Sequence, residues 1–246
     1  MPSVLISASK PSFFITLVEM TDANRRDLES VPRVHSMIHK GLTLAEYRAF
    51  LHDLYHIVWH FCPLMAAAAA RCGDQHRDVR YELYERIQEE KGHETWVLDD
   101  IVAMGGDVAS VRSGAPSAPV QAMIGFNYYA CERSHPCAVL GMLYVLEVIA
   151  SVYGGKVADS IARAIGRGVH AGGFRFLSSH ATMDTDHMAK LNVLLKTIES
   201  PAAQAAVINS THVNFHQFGQ LFSEGGFASH LAPTAQLREV SGVPRI

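Results

Sequence analysis

The sequence predicts an all-α protein. Apolar residues recur at helical spacing through most long segments, Gly and Pro breaks separate those segments, and no β-favouring run finds a partner strand. The expected product is a single domain of roughly seven or eight helices. The chain has 246 residues, 48% of them hydrophobic and 18% charged, which is enough apolar material for a large core and implies no disordered majority.

Residues 1–17 hold β-favouring runs at 4–7 and 13–17, so 1–20 reads as an extended lead-in to a helical domain over 21–227. A helix is predicted over 22–38, interrupted near Pro32. Thr43 and Glu46 stand at capping-box spacing. Behind them Leu44, Tyr47, Phe50, Leu51, Leu54 and Val58 keep a helical period, and Pro63 predicts a kink before the alanine run 66–70. A long helix over 78–104 stops at Gly105-Gly106, and the Gly-, Ser-, Ala- and Pro-rich stretch up to Pro119 reads as the longest loop. Helices resume over 120–132 and after Ser134-His135-Pro136, where Pro136 suits a first turn. Gly154-Gly155 ends or bends that helix, a short one follows over 159–166, and Gly172-Gly173 breaks the chain before a long helix that runs to 199. Ser200-Pro201 starts the last helix, which ends near Gly225-Gly226, and 228–246 reads as a flexible tail.

Charge and composition exclude several classes. A formal net charge of -3 without a long basic run argues against nucleic acid as a partner. No stretch reaches the ~18 consecutive apolar residues of a membrane span. The start Met1-Pro2-Ser3 lacks the charged and apolar regions of an export signal, so a cytoplasmic location is expected. The four cysteines, Cys62, Cys72, Cys131 and Cys137, show no C-x-x-C spacing and read as reduced structural thiols. Fourteen histidines are an unusual count, and their positions decide what they mean.

On the helix over 78–104 the apolar stripe is Leu83, Ile87, Val97, Leu98 and Ile101, with Glu90 inside it and His93 at its edge. A carboxylate in such a stripe is costly to bury unless something pairs with it. Glu147 repeats the anomaly on the face of Leu140, Leu143 and Ala150, with no Lys or Arg one turn away to neutralise it. On the helix after Gly173, His180, Asp184 and His187 fall within ~40° of the centre of the stripe Phe176, Met183, Leu191, Leu194 and Ile198. Three carboxylates and three imidazoles suit iron or manganese, and nearly balance two divalent cations in charge.

The pattern Glu90-x2-His93, then Glu147, then His180-x3-Asp184-x2-His187 resembles the haem-oxygenase-like diiron oxidase and oxygenase family. In spacing it is most similar to the members that convert fatty acids to terminal alkenes. The likeness covers roughly 43–222 and differs from the ferritin-like arrangement of two Glu-x-x-His pairs. In some members the first carboxylate stands seven residues before the first histidine. That position is Arg86 here, so Glu90 is taken, with Glu89 as the fallback. The resemblance implies a haem-oxygenase-like helical bundle and two Fe2+ ions per chain on Glu90, His93, Glu147, His180, Asp184 and His187. It also implies O2 as co-substrate and a small-molecule substrate (a fatty acid, amino acid or amine) undergoing C–C cleavage, desaturation or N-oxygenation. It leaves room for an external electron donor and a homodimer.

Blander readings stand beside these. A buried hydrogen-bond network would also explain the ionisable cluster. The i,i+4 pairs His35/His39, His56/His60 and His212/His216 fit a separate zinc site but none lies in H-E-x-x-H, and His60 or Tyr55 is a candidate to approach the site. Met65 and the alanine run fit a slender channel or, more simply, close helix packing. A thiaminase-II-like hydrolase or cofactor-independent oxidase on the same fold, true haem oxygenase, and a non-enzymatic metal- or partner-binding protein are the competing functions. Cys131 or Cys137 would need a base and a cationic setting to act as a nucleophile.

Overall fold

Helix α1 (Phe13–Ser30) and α2 (Pro32–His39) meet at Val31, with Pro32 in the first turn of α2. The computed structural model describes residues 11–231, and within them not the side chains of 182–185. Residues 13–20 are therefore helical, not extended. Phe13, Leu17, Thr21 and Leu28 are buried on one face of α1, which packs against the last long helix, and that tertiary burial overrides the β preference of the Phe-Phe-Ile run. The predicted lead-in over 1–10 lies outside the described residues.

Helix α3 (Leu44–Arg71) opens with the expected capping box: the Glu46 backbone N–H donates to Thr43 Oγ1 (3.3 Å) and the Thr43 N–H donates to Glu46 Oε2 (3.0 Å). It continues through Pro63 and forms the spine of the domain. Around it pack α4 (Arg77–Glu90), α5 (His93–Ala103) and α7 (Ala118–Arg133). The predicted helix over 78–104 is thus two helices, because Gly92 takes φ 93°, a left-handed conformation in which a helix cannot continue. The long loop holds a short helix, α6 (Val108–Ser113), started by Asp107, whose side chain accepts from the Ala109 N–H (2.9 Å).

After a 3-10 turn at Pro136, α8 (Val139–Ile149) passes into a wider π turn (Ala150–Gly154) and then into α9 (Gly155–Ala164). Gly154-Gly155 consequently does not end the helix. The absence of a side chain at Gly154 allows α10 (Arg175–Lys196) to come close, since a Cβ there would stand 3.2 Å from the Leu177 carbonyl oxygen. The path Pro136–Ala164 is long and apolar enough to cross a membrane, but 67% of its most apolar window is buried inside the protein, as in a core helix.

Helix α11 (Pro201–Gln220) is capped by Ser200 and packs against α1, α7 and α8. A 3-10 turn (Phe227–Leu231) follows, in which His230 Nε2 lies 2.8 Å from Asp53 Oδ1 of α3. The expected tail therefore begins no earlier than 232, and 232–246 lies outside the described residues. Among the described residues there is no strand. The arrangement that matters for function is that α10 packs against α5 and against α8 with its π turn, which brings three stretches of ionisable residues together.

Candidate metal centre

Glu90 ends α4 and His93 starts α5, so the Gly92 turn sets their mutual geometry. Their side chains meet at 2.8 Å, His93 Nδ1 to Glu90 Oε2. His180 on α10 directs Nε2 toward the same oxygen at 3.7 Å. Its Nδ1 lies 2.9 Å from the Phe176 carbonyl oxygen, which can only accept, so Nδ1 carries a proton and Nε2 is the nitrogen turned toward Glu90. Ligand atoms of Glu90, His93 and His180 all lie within 4.8 Å of one another, and all three residues are buried. Burial by itself would raise the Glu90 carboxyl, but the hydrogen bonds and charge of His180 and His93 outweigh it and hold it down at about 2.

Aromatic side chains and a buried acid fix this group. Trp96 stacks on His93 (centroids 3.9 Å apart) and Phe176 stacks on His180 (4.0 Å), while the Arg175 guanidinium lies over the Trp96 ring, 4.6 Å from its centroid. Asp100 on α5 accepts from the backbone N–H groups of Arg175 (2.8 Å) and Phe176 (2.9 Å), anchoring the first turn of the helix that carries His180. A carboxylate and two pre-oriented imidazoles in one buried group form a donor set that fits an iron ion.

The other half of the predicted ligand set has a different character. His187 Nδ1 stands 3.4 Å from Glu147 Oε1 and 3.5 Å from Glu90 Oε1, and its Nε2 faces Glu89 at 3.4 Å. Glu147 is not the unneutralised acid that its own helix suggests. Arg86, fully buried on α4, forms an ion pair with Glu147 Oε1 and donates to the His187 carbonyl oxygen at 3.1 Å. The partner comes from another helix, which a search along α8 alone cannot see. Of the two candidate first acids, Glu90 joins His93 and His180, whereas Glu89 is partly exposed and bonded to Lys190 (2.5 Å). The predicted ligand side chain of Asp184 lies outside the described residues.

A cavity of about 120 Å³ opens beside this group, well above the ~10–15 Å³ that one water needs. Its wall is mainly apolar, with Leu54, Phe61, Leu146, Ile149, Phe176 and Phe218 among the lining residues, and Glu90, Glu147 and His180 contribute the ionisable groups nearest the iron-fitting set. Met65 and residues 66–70 do not line it; Met65, Ala68 and Ala69 are buried in helix packing. His60 bonds Tyr128 (3.0 Å) and Tyr55 is buried in the core, so neither joins the cluster. Burial pushes the thiols of Cys131 and Cys137 up to about 12, and that of Cys62 to about 11, the reverse of an activated nucleophile.

Sequence reasoning missed Arg86, Trp96 and Asp100 as parts of the site. The available signal was weak: Arg86 sits one turn before Glu90 on the same face, and Asp100 lies between the apolar residues Leu98 and Ile101. Two further groups with ligand-like proximity, His52/Asp53/His230 and His76/His135/Cys137, join residues from separate elements and were not among the expected pairs.

In fold, the chain is similar to a domain of unknown function with a heme oxygenase-like fold from Shewanella denitrificans OS217 (TM-score 0.78, 19% identity, covering 91% of this chain and 94% of that one). It is also similar to a TenA homolog from Pseudomonas syringae pv. tomato DC3000 (TM-score 0.72, 14% identity, 92% and 96%) and to a putative TenA-like thiaminase from Sulfolobus solfataricus P2 (0.64, 12%, 87% and 97%). No curated protein matches the chain. Residues 48–213 match the family described as iron-containing redox enzyme, well over half of the chain, and the protein belongs to that haem-oxygenase-like family.

Proposed function

We propose that the protein is an iron-dependent oxidoreductase that uses dioxygen on a small molecule with an apolar body. The observation that carries this reading is the buried Glu90–His93–His180 group opening onto a mainly apolar cavity. Iron, when bound, supplies dioxygen binding and one-electron redox chemistry. The chain's own contribution is positional. Glu90, His93 and His180 hold the ion, and the Phe176 carbonyl keeps the His180 proton on Nδ1. Trp96 and Phe176 hold the two rings in place, and Asp100 holds the turn from which His180 projects. The apolar wall excludes water and favours a fatty acid or an alkyl amine over a compact polar substrate, with desaturation, C–C cleavage or N-oxygenation as the reaction. An external donor would supply reducing equivalents that the substrate does not.

The test is oxygen uptake by the full chain loaded anaerobically with Fe(II), presented with medium- and long-chain fatty acids and alkyl amines. Substrate-triggered uptake that disappears in His180→Ala and in metal-free protein is the expected result. Iron binding without uptake on any of these compounds would reject the enzyme reading in favour of a metal-binding protein. A second reading, a thiaminase-type hydrolase, rests on the TenA-like fold neighbours. Cleavage of thiamine by the metal-free protein would support it, although the raised thiol values leave no activated cysteine for that chemistry among the described residues.

A further inference from the structure

We infer that Arg86 takes the place of a second metal ion, so that the chain holds one iron on Glu90, His93 and His180. The inference rests on the iron reading above and revises its expected count from two to one. The decisive detail is which atom is shared. The Glu147 oxygen that faces His187 Nδ1 at 3.4 Å, Oε1, is also the oxygen that accepts from Arg86 Nη1. An ion held by Glu147 and His187 through that oxygen would compete for it with Arg86, and one held through the other carboxylate oxygen would still sit beside a permanent positive charge.

The guanidinium is built into its position. Arg86 is fully buried, its Nη2 donates to the His187 carbonyl oxygen at 3.1 Å, and Glu82 lies 3.7 Å away on the outer side. Arginine stays protonated under all ordinary conditions, so the charge cannot be relieved by losing a proton. It neutralises Glu147, which a second cation would otherwise have to do, and it ties α4 to both α8 and α10. Among the described residues no guanidinium or ammonium is paired with Glu90, whose carboxyl faces the imidazoles of His93, His180 and His187. Imidazoles can hand their lone pairs to a metal, and a guanidinium has none to give. The two halves are therefore chemically unequal, one ready for an ion and the other already holding a cation.

The experiment is metal stoichiometry and magnetism of the full chain. Fe(II) is titrated in without oxygen, free metal is removed, and bound iron is counted per chain and examined by Mössbauer spectroscopy after oxidation. One ion per chain with an uncoupled spectrum is expected, unchanged in number in Glu147→Gln and lost in His180→Ala. Two ions per chain, or a spin-coupled pair, would overturn the inference and leave the iron reading standing. No bound iron in the unaltered chain would overturn both. The count on the unaltered chain decides the matter even if Glu147→Gln fails to fold.

Discussion

Glu90 and Glu147 are both buried glutamates on different helices, both border the same cavity, and their surroundings differ in one respect that determines what each can do. Glu90 is held by imidazoles, whose ring nitrogens can pass from the carboxylate to a metal ion shared with it. Glu147 is held by a guanidinium, a fixed cation that already satisfies its charge. A buried acid in a helical stripe is thus not by itself a sign of a metal ligand. What distinguishes the cases is whether the neutralising partner can give up its place to an ion.

The largest effect should come from breaking the Glu147 side. Arg86→Met leaves a buried carboxylate without its cation and should destabilise the metal-free protein by about 3–5 kcal/mol in urea unfolding. Adding Glu147→Leu should recover most of that loss, since replacing both charges by apolar groups is often neutral. A double variant no more stable than the single one would show that the pair is not the source of the penalty. Glu90→Gln should cost the metal-free protein less, about 1.5–3 kcal/mol, the range of hydrogen bonds to charged groups. It should also abolish iron retention on a desalting column. Retention of iron by that variant would move the site to other residues.

Smaller effects sharpen the contrast further. Gly92→Ala meets no steric obstacle, as a Cβ there has no neighbour within 4 Å, so its cost should be the left-handed backbone alone, about 1–2 kcal/mol. Because that turn sets Glu90 against His93, iron affinity should fall as well. An unchanged unfolding midpoint would mean that the turn relaxes without strain.

His56 provides an imidazole with no carboxylate bonded to it among the described residues. Burial, and then the charge of His52, lowers it to about 4 from its ordinary 6.5. The unfolded chain accepts a proton there that the folded chain refuses, so stability should fall as pH drops from 6.5 towards 4. His60 and His135 are lowered too and act in the same direction, so His56→Gln should flatten the slope without removing it. An identical slope in the variant would place the sensitivity elsewhere.

The sequence by itself determined that the protein is helical, where most helices lie, and that Glu90, His93, Glu147, His180 and His187 are buried. These are local properties: the 3.6-residue period, the Thr43–Glu46 capping box and the prolines at helix starts act within a turn or two of chain. Residues 13–17 show the limit of local reading, since their β-favouring run becomes helix once Phe13 and Leu17 are buried and α1 packs against α11. Only the tertiary structure decided that Glu90 and Glu147 have different partners. Arg86 and Glu147 lie 61 positions apart, and His93 and His180 come from different helices. Which charges meet in a core is fixed by how helices pack, and no spacing within one helix encodes it.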